Sequence, residues 1–315
     1  CKLNVDGGTD PYCTGSPNSN EFINVFDDLR DFQVSGNEFV PWGSADTTPP
    51  AIFNSNPYQS LSQPDSRYTA GVMANQQIND KINAYFDFSY MDDQASTTIA
   101  PSAAFLGSNP YDANGGNLIN CDNPLLSAQQ VETIGCNDPE LVDANGNVDV
   151  LVGRRNIEGA GRTSKYEHEN FRYVLGAKGD LGQGWNYDAY FQYYYSTLYQ
   201  SNENYLSNTR INRALQVVDV DGVPTCTSKV DGSDTSCVPW NIFNEGGVTP
   251  DQVAYLNSLG TEYGTVQEKI VSGQVTNDLG QYGVQLPWAT DGVGIALGLQ
   301  YRWDALQFKG DAAST

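Results

Sequence analysis

The sequence predicts an all-β fold: antiparallel up-and-down hairpins, with short turns on one side and long, disulfide-stapled loops carrying short helices on the other. Three observations predict it. First, several stretches alternate apolar and polar residues at period two, as strands with two unlike faces do. In Trp185–Tyr195, the residues Trp185, Tyr187, Ala189, Phe191, Tyr193 and Tyr195 fall on one face, and Asn186, Asp188, Tyr190, Gln192 and Tyr194 on the other. Second, connection lengths are asymmetric. Gln76–Lys81, Gly179–Gly184 and Asp278–Asp291 are short, and the other connections are several times longer, which is the pattern of outer-membrane barrels. Third, no run of about 18 apolar residues occurs, so no transmembrane helix is encoded. A mean hydropathy of −0.46 is still compatible with membrane strands, whose alternation barely raises it.

Residues 1–65 read as a loop region dominated by Gly, Asn, Pro, Asp and Ser, with an ambiguous stretch at Glu21–Val34. Residues 66–92 read as a hairpin. Tyr68, Ala70, Val72 and Ala74 form an apolar row, Ala84, Phe86, Phe88 and Tyr90 a second, and Asn83, Tyr85 and Asp87 a polar one. Residues 93–165 form a long loop. Within it Ser127 caps a short helix that Gly135 stops, and Asn147–Arg155 reads as a short strand.

Residues 166–200 are a second hairpin. Phe171, Tyr173, Leu175 and Ala177 oppose Arg172 and Val174, a Gly-rich turn follows at Gly179–Gly184, and then comes the Trp185 strand. In the long loop 201–262, Ile211, Ala214, Leu215 and Val218 recur at helical spacing. Thr249-Pro250-Asp251 opens another helix, with Gly260 as its stop. Residues 263–306 make a third hairpin, in which Val293, Ile295, Leu297, Leu299, Tyr301 and Trp303 alternate with Gly294, Ala296, Gly298, Gln300 and Arg302.

Charge and cysteines narrow the function classes. Among 315 residues, 38 are acidic and 16 basic, a formal net charge of −22. Phosphate contacts need basic patches, so nucleic acid is not an expected partner. The six cysteines fall in close pairs: Cys1 and Cys13, Cys121 and Cys136, Cys226 and Cys237. None forms Cys-x-x-Cys and the sequence holds one His, so no zinc set is present. Three loop-stapling disulfides are the economical reading and imply an oxidising location; other connectivities and free thiols stay open. The chain starts at Cys1 without Met or a hydrophobic leader, and reads as an internal piece of something longer.

No enzyme is expected. His168 stands between Glu167 and Glu169, which is neither a triad nor a metal set. Gly159-Ala-Gly-Arg162 lacks the lysine of a phosphate loop. No cofactor is expected either. The nearest candidates are calcium loops at Asp143–Asp149, Asp219–Gly222 and Asp231–Asp234, and each reads first as a solvated turn, because Gly146 is misplaced and no Glu closes the first. Arg154 and Arg155 read as structural ion-pair partners. The candidate ligand-binding residues are those of the polar strand face: Tyr85, Asp87, Arg172, Asp188, Tyr190 and Tyr194.

Several stretches resemble the barrel of TonB-dependent outer-membrane receptors. They are Arg67-Tyr-Thr-Ala-Gly-Val72, Ala84–Pro101, Gly153-Arg-Arg-Asn156 followed by Gly159-Ala-Gly-Arg162, Arg213–Val218, Cys237-Val-Pro-Trp-Asn-Ile-Phe243, and Val271-Ser-Gly273 and Asp278-Leu-Gly280 with Pro287-Trp288-Ala289 and Asp291-Gly-Val-Gly294. The resemblance runs from about residue 60 to 306, over an internal barrel segment without plug, TonB box or terminal aromatic strand. It implies energised uptake of a ferric chelate or an oligosaccharide in an outer membrane. The partners it implies are outer-membrane lipid, the rest of the receptor with its plug, a periplasmic TonB-type energy transducer and the small-molecule nutrient. The alternative expectation is a released fragment, extracellular, that self-associates through open strand edges into a β-rich filament.

Overall fold

The computed structural model describes residues 15–16, 24–27, 30–41, 53–60, 62–113 and 115–311. In chain order the strands are β1 (Gly15–Ser16), β2 (Asn24–Asp27), β3 (Arg30–Ser35), β4 (Glu38–Pro41), β5 (Phe53–Asn54), β6 (Asp65–Asn79), β7 (Ile82–Pro101), β8 (Ala103–Ala104), β9 (Asn117–Asn120), β10 (Asn147–Arg155), β11 (Gly161–Gly182), β12 (Trp185–Leu206), β13 (Val217–Val220), β14 (Val223–Cys226), β15 (Asn257–Asp278) and β16 (Gly294–Gly310). The helices are α1 (Ala128–Thr133), α2 (Asn208–Leu215), α3 (Thr227–Val230) and α4 (Pro250–Leu256). The fold is all-β and antiparallel, as the alternation predicts. The chain divides into two compact units. The first comprises Cys1–Ser62, Thr97–Ser164 and Asn202–Gly260, the second Gln63–Ser96, Lys165–Ser201 and Thr261–Thr315.

The second unit holds the three expected hairpins. They belong to one curled, half-barrel sheet of order β6-β7-β11-β12-β15-β16. Each strand neighbours the next long strand in sequence, so the connectivity is a plain meander. The strands outrun the alternation that marks them: β15 pairs with β16 without a break from Glu262↔Gly310 to Asp278↔Gly294. Two turns are tighter than expected. Asp80 and Lys81 alone join β6 to β7, where the register slips between Gln77 and Asn79. Gln183 (φ 53°) and Gly184 (φ 73°) alone join β11 to β12. Two successive left-handed residues give the twist that a two-residue hairpin needs. Asn277, Gln281 and Tyr282 donate to the Gln183 carbonyl, which ties this turn to the next one.

The apolar rows line up across the sheet. Phe88 packs against Tyr173 at 4.9 Å and Tyr90 against Phe171 at 5.1 Å between ring centroids, with the rings tilted by 37°. Val271 faces Tyr301 and Gly273 faces Leu299 across β15 and β16. None of these side chains is buried: Phe191 is 45% exposed, Leu175 62% and Leu299 86%. Among the described residues of this unit, only Val174 and Ile270 are buried apolar side chains, and both sit on the opposite, polar face. Hairpin periodicity therefore builds a sheet in which, among the described residues of this unit, no apolar side chain of the aromatic face is buried.

The first unit does have a core. Ile119, Ile211, Leu215, Trp240, Phe243 and Leu256 are all essentially inaccessible. Its main sheet runs β4-β3-β2-β10-β8, with β9 also on β10. Residues 1–65 were expected as loop, yet β2, β3 and β4 form part of this sheet. Leu151 pairs with Phe26 and Val152 with Val25, partners more than a hundred positions apart that no local periodicity reveals. Within the expected 93–165 loop, β7 continues to Pro101 and β10 occupies the predicted Asn147–Arg155.

Local chemistry fixes the helices. Ser127 and Gln130 form a capping box on α1. Gln130 is wholly buried and donates to the Phe243 carbonyl at 2.7 Å, while Gln129 exchanges hydrogen bonds with the Phe39 backbone. Ile211, Ala214 and Leu215 form the buried face of α2, but Val218 lies beyond it in β13. α4 starts at Pro250 as expected and ends at Leu256. Gly260, the expected stop, lies inside β15, because Asn257 already takes an extended conformation. Disulfides join Cys121 to Cys136 and Cys226 to Cys237. Cys1 and Cys13 lie outside the described residues. No described helix is long and apolar enough to cross a membrane.

Candidate functional site

Strand alternation puts every sequence-predicted ligand residue on one face of the six-stranded sheet, opposite the aromatic rows. Tyr85 donates to Asp188 Oδ1 at 2.7 Å. Next to this pair, polar contacts cross five strands in sequence. Arg172 lies 3.4 Å from Asp87 and donates to Gln192 Oε1 at 2.9 Å. Gln192 donates to Glu268 Oε1 at 2.7 Å, Glu268 pairs with Arg302 at 2.7 Å, and Arg302 also holds Asp304 at 2.8 Å. The chain of contacts thus passes through β7, β11, β12, β15 and β16. At another position Arg67 makes a two-pronged contact with Asp93.

Such a network has two consequences. Linked charged and amide groups fix one another's rotamers, which makes the face a preformed surface. The guanidiniums of Arg67, Arg172 and Arg302 are also engaged by carboxylates, so they do not form a free anion clamp. Asp87, Arg172, Tyr85 and Asp188 are brought together as pairs. Tyr190 and Tyr194 stand on the same face, half-buried and outside the chain of contacts. Sequence reasoning missed Glu268 and Arg302 as members. Arg302 stood in the polar row of the last strand, and Glu268 shares the parity of the polar positions of β15, so the signal was there once the strands were placed side by side.

The first unit, hereafter the loop unit, uses its candidate residues structurally, whereas the second is the sheet unit. Arg154 pairs with Glu158 at 2.6 Å, as expected. Among the described residues Arg155 makes no ion pair. Its guanidinium lies between the Phe53 and Phe105 rings, 4.5 and 4.9 Å from their centroids, and donates to the Pro101 carbonyl. Burial, with the charge of Arg162 nearby, pushes the Arg155 pKa down to about 10, and the group stays a cation at neutral pH. Cys237, Trp240, Ile242 and Phe243 are core side chains. The Asp/Asn segments are turns closed on themselves. Asp143 accepts from the backbone of Asn145 and Asn147, and Asp219 from Gly222 ahead of the left-handed pair Asp221-Gly222. Asp234 accepts from Ser236, Tyr255 and Arg213, and these donors hold its pKa down at about 2. Among the described residues no group of three or more His, Cys, Asp or Glu is placed to hold a metal.

Comparison with protein-family models, with curated proteins and with solved structures gives no match for this chain.

Proposed function

We propose that the chain is a segment of a TonB-dependent outer-membrane receptor, comprising barrel strands and a loop unit, that takes up a nutrient, either a ferric chelate or an oligosaccharide. The observation that carries this reading is the uncovered aromatic face of the sheet, backed by a hydrogen-bonded polar face. Exposed apolar patches on proteins in water rarely exceed a few hundred Å². Side chains as open as Leu299, Tyr301, Leu175 and Val72 belong against lipid, and the polar face belongs on a lumen. The disulfides of the loop unit suit an oxidising exterior. In this reading the partners are outer-membrane lipid, further strands and a plug, a periplasmic energy transducer and the nutrient. In cells producing the parent receptor, uptake should stop when the proton-motive force is collapsed or the transducer is deleted. Uptake indifferent to both would contradict the proposal.

A second reading rests on a separate observation. β6 and β16 are the two edges of the sheet, and every residue of β6 is exposed. Open edges are templates for strand pairing between copies, so a released fragment would assemble into a β-rich filament. Mixing the chain with preformed lipid vesicles separates the two. Co-flotation with vesicles favours the receptor segment; sedimenting fibres that leave the vesicles behind favour the filament.

A further inference from the structure

The polar face carries a second cluster, near the hairpin turns, that the contact network does not use. Asn83 on β7, Lys178 on β11, Asn186 and Asp188 on β12, and Gln274 and Thr276 on β15 line one hollow. With Gln77 on β6 also in the lining, five adjacent strands contribute; these polar positions share the parity of the polar face, and Tyr187 of the aromatic row borders the hollow as well. Their hydrogen-bonding capacity is largely unused. Asn83 Oδ1 is buried without a partner. Asp188 is held through Oδ1 by Tyr85, which leaves Oδ2 open. Asn186 donates only to the Gly184 carbonyl beside it. A buried polar atom without a partner is rare and costly, so Asn83 Oδ1 calls for a donor, which an occupant of the hollow would supply.

The chemistry of the lining selects the occupant. One Lys and one Asp leave the cluster without net charge, and the other polar side chains of the lining are amides and the hydroxyls of Thr276 and Tyr187. Amides both donate and accept, as do the hydroxyls of a sugar. The Tyr85 ring borders the adjoining hollow and adds an aromatic surface. An anionic chelate would find one cation, Lys178, in a chain of net charge −22. The hollow measures about 350 Å³, near the lower end of the roughly 300–1,000 Å³ of small-molecule clefts, which suits one or two pyranose rings.

We infer that this hollow is a saccharide subsite on the lumen face, which assigns the cargo to the uncharged oligosaccharides rather than the ferric chelates. The inference rests on the receptor reading, because that reading turns this face towards the cargo's path. The test titrates the full chain, reconstituted in lipid vesicles, with maltose, cellobiose and xylobiose, and with glycylglycine and gluconate as zwitterionic and anionic comparators. Binding is followed by saturation-transfer NMR. At least one disaccharide should bind with a millimolar Kd, about fivefold weaker in Asn83→Ala and in Gln274→Ala, as expected for one hydrogen bond lost. Circular dichroism confirms that both variants keep their strands. The inference is overturned if no disaccharide saturates, if both variants bind as well as the parent chain, or if either comparator binds more tightly. Vesicle co-flotation, measured on the same samples, reports on the receptor reading separately. A chain that floats but binds no sugar sinks only the subsite.

Discussion

Asp234 shows how one side chain in the loop unit links sequence, packing and pH. Its carboxylate receives Ser236 N and Oγ, the Tyr255 hydroxyl and the Arg213 guanidinium. Tyr255 belongs to α4 and Arg213 to α2, so one acid ties two helices to the 231–236 turn. A folded pKa lowered to about 2, against an ordinary carboxylate value near 3.9, means that the charged form stabilises the fold. That stabilisation is present above the ordinary value and is lost as pH falls through the folded one. Urea unfolding of the loop unit between pH 5 and pH 2 should therefore show stability falling towards pH 2. Asp234→Asn should be less stable at pH 5 and show a flatter profile below pH 4. A profile that keeps its wild-type slope in that variant would place the titration elsewhere. In the sequence, the Asp231–Asp234 segment offered a calcium loop or a turn. Only the approach of Tyr255 and Arg213, through tertiary packing, distinguishes them.

At the scale of the strand, alternation is enough to place a side chain but not to say what lies beyond it. Leu299 occupies the apolar row of β16 and is 86% exposed. On a sheet facing water, Leu299→Arg would be nearly neutral. Against lipid it costs about 2–4 kcal/mol near the bilayer midplane. The expected outcome is that Leu299→Arg weakens vesicle binding strongly, while Gln300→Arg, one residue on and on the polar face, leaves it nearly unchanged. Equal effects would remove the distinction between the faces. The hairpins, their order and both faces were legible because period two is local. The placement of Tyr85, Asp87, Arg172 and Asp188 on the polar face was legible for the same reason. β2, β3 and β4 were not, because their pairing with β10 depends on contacts remote in sequence. The end of α4 at Leu256 was not legible either. A Gly at position 260 signals a helix stop, and here strand pairing of β15 begins before the chain reaches it.

At the scale of the whole molecule, the two units rest on different physics. The loop unit buries Trp240, Phe243 and Leu256 in a core of its own and carries both described disulfides. The sheet unit depends on backbone pairing and on whatever covers its aromatic face. Closing loops with sequence separations of 15 and 11 stabilises by about 3 kcal/mol each in the chain-entropy account. Reduction should therefore lower the unfolding midpoint reported by Trp240 in the loop unit. Strand content in vesicles should persist. Loss of both together would mean that the sheet needs an intact loop unit.

The central claim is that the aromatic face meets lipid. Variants that keep one tryptophan each, Trp185, Trp303 or Trp240, can be reconstituted in vesicles containing brominated acyl chains. Trp185 and Trp303 belong to the aromatic rows of β12 and β16, and Trp240 is sealed in the loop-unit core. The account predicts strong quenching of Trp185 and Trp303 and almost none of Trp240. Quenching of Trp185 and Trp303 no greater than that of Trp240 would contradict it.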